Sequence, residues 1–136
     1  MQKIVLASGS ANRQAVLKQA RIPFEVFPAQ VHEKSVTETD LSKRAQKIAE
    51  LKARWVAERK SGTIVAADLF GVCDGKILEK PKDKDEAKKM LRLLSGKKFV
   101  VYIGLVCINT ANKKTFAETT MTEIELREIE EAEIDD

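Results

Sequence analysis

Residues 4–20, IVLASGSANRQAVLKQA, pass from an apolar run into a helical pattern through the small residues Ser8, Gly9 and Ser10. IVLA reads as a short buried strand. SANRQAVLKQA reads as a helix, with Ala11, Ala15 and Val16 at helical spacing and Ser10 as its N-cap. A strand fed straight into a helix N-terminus is how an α/β domain opens. It also places Arg13 in the first helical turn, beside unpaired N–H groups and the positive end of the helix dipole, where a cation is mildly unfavourable. Two readings stay open. Either Arg13 points sideways into water and Gly9 merely eases a turn, or Ser8, Ser10 and Arg13 join the helix N–H groups as donors to an anion. The spacing is that of neither a P-loop nor a dinucleotide fingerprint.

The chain of 136 residues has the size of one domain, and its 43% hydrophobic and 33% charged residues describe a soluble globular protein. No segment approaches a membrane span or a signal-peptide core, so a cytoplasmic protein without a membrane partner is expected. Cys73 and Cys107 lie in apolar runs without CxxC spacing and read as free buried thiols; His32 is the single histidine, which disfavours a zinc site. A net charge of +3, with charges mixed along the chain and few aromatics, makes no case for a nucleic-acid surface. A small anionic ligand fits better. The acidic tail REIEEAEIDD reads as the start of a solvated helix.

No internal repeat, low-complexity tract or linker interrupts residues 1–136, which are read as a single domain. IPFEVFPAQV predicts two short extended segments broken at Pro28, and DLSKRAQKIAELKARWVAERK a long helix starting near Asp40. TIVAADLFGVCDGKILEKP predicts strands with a hairpin at Asp74-Gly75. Lys82 to Leu94 predicts an amphipathic helix, and FVVYIGLVCINTANKKTFAETTMTEIEL an antiparallel pair turning at Asn109 to Lys114. Helices interleave with strands while hairpins demand antiparallel pairing, so the expected fold is α/β with a mixed, partly antiparallel twisted sheet flanked by helices.

Some residues sit oddly for structure alone. In the long helix Lys52 falls on the stripe of Leu41, Ala45, Ile48 and Trp55, so it either snorkels past the core or reaches a cleft whose ligand supplies the counter-charge. Asp68 interrupts TIVAA and LFGVC. A carboxylate there must meet a polar cleft or bear a burial penalty of several kcal/mol, and it reads as the floor of a site at a sheet edge. Glu33 and Lys80 are ordinary surface residues whose interest comes from company. Arg13, Lys52 and Lys80 could neutralise phosphate oxygens, while Glu33 and Asp68 could hold a divalent metal and orient or deprotonate a water.

In order and spacing, LASGSANRQAVLKQARIPFEV, the Glu33 segment, LKA around Lys52, AADLFGVCDGKILEKP and DEAKKMLRLLSGKKFVVYIG resemble the Maf family of nucleoside triphosphate pyrophosphatases over nearly the whole chain. The resemblance implies a Maf/ITPase-like fold and hydrolysis of pyrimidine or modified nucleoside triphosphates to monophosphate and pyrophosphate with a divalent cation, Mg²⁺ or Mn²⁺. It implies a role in nucleotide-pool cleaning, a link to restraint of cell division, and homodimers as a common assembly. By position it assigns Ser8, Ser10, Arg13 and Lys80 to phosphate binding, Glu33 and Asp68 to the metal, and Asp68 and Lys52 to catalysis. The family turn usually reads Ser-Pro-Arg-Arg where this chain has Ser10-Ala11-Asn12-Arg13. Leu69, Phe99 and Ile103 replace a threonine, a histidine and a threonine. Family members also continue for about another third of the chain with a glycine-rich segment. These departures raise an alternative, a diverged nucleotide-binding or regulatory protein without turnover.

Overall fold

The computed structural model describes residues 3–78 and 81–134. Its elements are β1 (Ile4–Leu6), α1 (Ala11–Gln19), β2 (Phe24–Val26), a 3-10 turn (Glu33–Ser35), α2 (Leu41–Ala57), β3 (Thr63–Cys73), β4 (Lys76–Leu78), α3 (Lys84–Leu94), β5 (Lys98–Asn109), β6 (Thr115–Glu125) and α4 (Glu131–Ile134). The six strands form one sheet of order β2-β1-β3-β5-β6, with β4 pairing to β3 off that path. β1 runs parallel to both β2 and β3, whereas β4 is antiparallel to β3. The mixed sheet read from the hairpins and interleaved helices is the sheet observed. Backbone contacts divide the chain into two compact units. One is the chain up to Asp68 with Ile103–Thr120; the other is Leu69–Tyr102 with the chain from Met121 onward.

The first unit packs α2 on β1, β3 and β5. Ala49, Ala53 and Val56 of α2 meet Val5, Ile64, Ala66, Val106 and Ile108, with Phe27 and Trp55 packed at the margin. The helix comes very close to the sheet: a Cβ on Gly104 of β5 would overlap the backbone of Ala45. Only glycine allows that approach. Asp40 caps α2 by accepting from the Lys43 N–H at 3.2 Å, as the predicted start requires.

α1 forms where the pattern predicts, but Ala11, Ala15 and Val16 do not make its inner face. None of its residues is buried, and Val16 is 64% exposed. The helix is held by its ends instead. Ser10 caps the start, and at the finish Arg21 takes φ 56° while its N–H and that of Ile22 bond to the carbonyls of Lys18 and Leu17, a Schellman closure with arginine in the usual glycine position. The second extended segment expected after Pro28 is not a strand; the chain reaches the Glu33–Ser35 turn instead.

In the second unit β3 turns into β4 at Asp74-Gly75, where φ is 51° and 77°, as the hairpin signal requires. α3 begins two residues later than expected, at Lys84, because Asp83 is its cap, accepting from the Glu86 N–H at 2.8 Å. The acidic tail forms a helix as expected, the single turn α4, with Glu131, Ala132 and Glu133 exposed and Ile134 buried; Arg92 pairs with Glu131 and Arg127 with Glu133. Cys73 and Cys107 are free thiols, and burial pushes the Cys107 thiol up.

Candidate active site

Ser10 is extended, with φ −65° and ψ 121°, and its Oγ accepts from the Arg13 N–H at 3.4 Å. Arg13 does not turn out into water. Its Nη1 donates to Ser8 Oγ at 2.9 Å, and the Ser10 N–H donates to the same oxygen at 3.1 Å. A hydroxyl that accepts twice keeps its own proton for a further acceptor. The turn therefore presents the Ser8 hydroxyl, the remaining Arg13 N–H groups and the helix N-terminus as donors.

A second group of side chains is built by α2, β3 and the 3-10 turn. Along β3 the inward positions alternate as Ile64, Ala66, Asp68 and Phe70, all buried, so Asp68 is an inward residue of a continuing strand. The expectation that it lies at a sheet edge is corrected by the strand order, which puts β3 at the centre. β1 pairs with residues 63–65 and β4 with residues 71–73, and Asp68 lies between these registers. On α2 the buried stripe is Ala45, Ile48, Ala49, Ala53 and Val56, leaving Lys52 at its margin. Lys52 Nζ is 2.7 Å from Glu33 Oε1, 3.5 Å from Asp68 Oδ1 and 3.5 Å from the carbonyl oxygen of Ala67. The side chains of Lys52 and Asp68 are 13% and 12% exposed. Lys52 therefore turns to protein carboxylates, which supply its counter-charge.

The Asp68 carboxyl is pushed above its ordinary value by burial. Lys52 opposes that shift, Glu33 adds to it, and Arg44 opposes it in turn. Two carboxylates and one ammonium leave the group short of positive charge. Arg44 lies two helical turns before Lys52 on α2, a spacing visible in the sequence. It was missed because nothing marked that face as facing an acid.

The two groups share one end of the sheet. Beyond β1 the Ala7 N–H reaches the Val65 carbonyl at 2.9 Å, and beyond β2 the Phe27 N–H reaches the Leu6 carbonyl at 2.9 Å. Ser8 follows Ala7, Asp68 follows Val65 by three residues, and Glu33 follows Phe27 by six. Ser8 and Glu33 thus follow the carboxyl ends of β1 and β2, the side on which open α/β sheets bind ligands, while Asp68 lies within β3 just past its pairing with β1. Lys80 lies outside the described residues.

The family model for Maf-like proteins matches residues 3–136. The chain belongs to the Maf family. A dTTP/UTP pyrophosphatase from Bacillus cereus (strain G9842) is 43% identical over 136 residues, covering 99% of this Maf chain and 70% of the relative. One of the same name from Ruminiclostridium cellulolyticum is 36% identical over 136 residues, covering 98% and 70%. Among solved structures, the Staphylococcus aureus Ham1 protein aligns with a TM-score of 0.62 at 16% identity, over 91% of this chain and 71% of that one. A HAM1 protein from Coxiella burnetii aligns at 0.60 and 18%, over 92% and 73%. At these identities the likeness is one of fold.

A divalent cation is what a Maf site implies, and the donor chemistry here fits one. Among the described residues no group of three or more His, Cys, Asp and Glu could form an all-protein cage. Magnesium-like ions, however, are commonly held by one or two carboxylates with water and substrate phosphates. Glu33 and Asp68 offer that pair, drawn together around a cation that the protein itself supplies. Of the positions where this Maf departs from its family's pattern, Asn12 is exposed on α1 and Leu69 points away from the inward face, 56% exposed. No helix among the described residues is long and apolar enough to cross a membrane.

Proposed function

We propose that this Maf protein hydrolyses pyrimidine nucleoside triphosphates of the dTTP and UTP kind to a nucleoside monophosphate and pyrophosphate. It is a hydrolase acting on acid anhydrides. The observation that carries this reading is Asp68, a carboxylate of raised pKa held on the inward face of β3 beside Lys52. A carboxylate whose pKa is raised takes up a proton more readily than an ordinary one. The relatives named dTTP/UTP pyrophosphatase support the substrate class.

The side chains divide the chemistry. Ser8, Ser10 and Arg13 bind phosphate oxygens at the start of α1, and Lys80 adds a cation from the segment after β4. Asp68 takes the proton of a water whose oxygen bonds to the α-phosphorus. As that bond forms, the bond from the α-phosphorus to the bridging oxygen breaks and pyrophosphate leaves with the electron pair. Lys52 and Arg13 stabilise the charge that gathers on the phosphate oxygens. Glu33 and Asp68 would hold Mg²⁺ or Mn²⁺, whose contribution is to neutralise and orient the triphosphate.

The test is turnover across dTTP, UTP, CTP and ATP with Mg²⁺ or Mn²⁺, products separated and identified. The expected result is monophosphate and pyrophosphate in equal amounts, dTTP or UTP preferred over ATP, and no turnover with a chelator. Saturable nucleotide binding without product under either metal would select the diverged nucleotide-binding protein. Asn12→Arg would then be the first change to make.

A further inference from the structure

Lys52 is asked to serve two masters. Its ammonium has three protons to donate, and it faces three protein acceptors: Glu33 Oε1 at 2.7 Å, Asp68 Oδ1 at 3.5 Å and the Ala67 carbonyl oxygen at 3.5 Å. A lysine held in this way cannot donate to a phosphate without releasing one of them. The carboxylates it holds are also the pair that would take a divalent cation. With Lys52 in place the trio carries one net negative charge. A divalent ion added beside the ammonium would turn that into one net positive charge, and Arg44 already adds positive field at Asp68. In a site whose lysine and aspartate side chains are 13% and 12% exposed, such repulsion is weakly screened.

We propose that Lys52 is the resident counter-cation of the Glu33–Asp68 pair and exchanges places with the divalent ion, turning to the triphosphate when the ion arrives. This rests on the pyrophosphatase reading of the site. The triphosphate gives the displaced ammonium a new partner, so metal and nucleotide bind cooperatively, and Lys52 is the side chain that couples them. Coupling of this kind is reciprocal: each ligand tightens the other by the same factor.

The experiment measures Mn²⁺ affinity calorimetrically on the full chain, with and without a non-hydrolysable α,β-methylene analogue of UTP. In the parent, the analogue should tighten Mn²⁺ binding by about tenfold, within the usual range of coupling between sites. Lys52→Met should bind Mn²⁺ alone about tenfold more tightly than the parent does and lose the tightening by the analogue. Equal or weaker binding of Mn²⁺ alone by Lys52→Met overturns the proposal. Should that variant fail to fold, the parent decides. Amine acetylation of Lys52, read by mass spectrometry, should run several-fold faster with saturating Mn²⁺ than with chelator, and an unchanged rate overturns the exchange. Product formation by the parent alongside unaltered Mn²⁺ affinity in Lys52→Met would sink the exchange and leave the enzyme reading standing. The Mn²⁺ results without any product from dTTP or UTP would do the reverse.

Discussion

Lys52 of α2 faces Asp68 of β3 with 3.5 Å between Nζ and Oδ1, both side chains withdrawn from solvent. The pair is unequal. Lys52 has Glu33 as a nearer partner at 2.7 Å, whereas burial outweighs Lys52 in setting the Asp68 pKa. Asp68 is therefore a charge the fold tolerates rather than one that holds it together.

Asp68→Asn should lower turnover by about 10²–10⁴-fold, the usual contribution of a positioned base, without weakening the fold. The amide keeps the shape and removes a buried charge, and Lys52 keeps Glu33. Melting temperature should hold or rise by a few degrees, about what 1 kcal/mol produces in a domain of this size. Unchanged rates would remove Asp68 from the mechanism.

The same residue gives stability a pH dependence. Burial raises its pKa above the ordinary value of 3.8, so the folded chain holds this proton more tightly than the unfolded chain. The stability so contributed is complete below the unfolded value and is lost as pH rises through the folded value. With chelator present, urea unfolding from about pH 4 to 7, the span above the ordinary carboxylate range, should show the parent losing stability relative to Asp68→Asn. Parallel curves for the two proteins would contradict this.

Arg13→Ala should raise KM for the triphosphate at least tenfold while changing stability by no more than about 0.5 kcal/mol, as expected at a surface helix. Ser10→Ala removes the cap of α1 and should cost about 1 kcal/mol. Comparing denaturant midpoints with KM for both variants separates the ligand role from the structural one. A large loss of stability in Arg13→Ala with KM intact would make the arginine a strut for the turn.

At Gly104 the demand is steric. A Cβ there would collide with the Ala45 backbone, so Gly104→Ala should lose about 1–3 kcal/mol, the usual cost of overpacking. Stability equal to the parent in urea would show that α2 lifts from β5 at little cost.

The fold was legible where a local rule was sufficient. Asp40 announces a helix start and Asp74-Gly75 a hairpin, whereas the cap Asp83 fell inside the expected helix. The inner face of α1 was not legible, because Ala11, Ala15 and Val16 satisfy helical periodicity without being buried, and periodicity alone does not say what a helix packs against. Asp68 stood out as an acid in an apolar run. Its place in a central strand depends on β1 and β4 ending and starting to either side of it, a matter of register between distant segments. Lys52 was ambiguous for the same reason, since its partners Glu33 and Asp68 lie 19 and 16 residues away along the chain. Arg44 carried no mark at all until Asp68 was located opposite its helix.

The central claim is that Asp68 directs a water onto the α-phosphorus. Hydrolysis of dTTP or UTP in ¹⁸O-labelled water, with both products weighed by mass spectrometry, tests it most directly. The account predicts one labelled oxygen in the nucleoside monophosphate, none in the pyrophosphate, and labelled product from Asp68→Asn formed about 10²–10⁴-fold more slowly. Label in pyrophosphate, or in orthophosphate released with a nucleoside diphosphate, would place the attack on another phosphorus and contradict it.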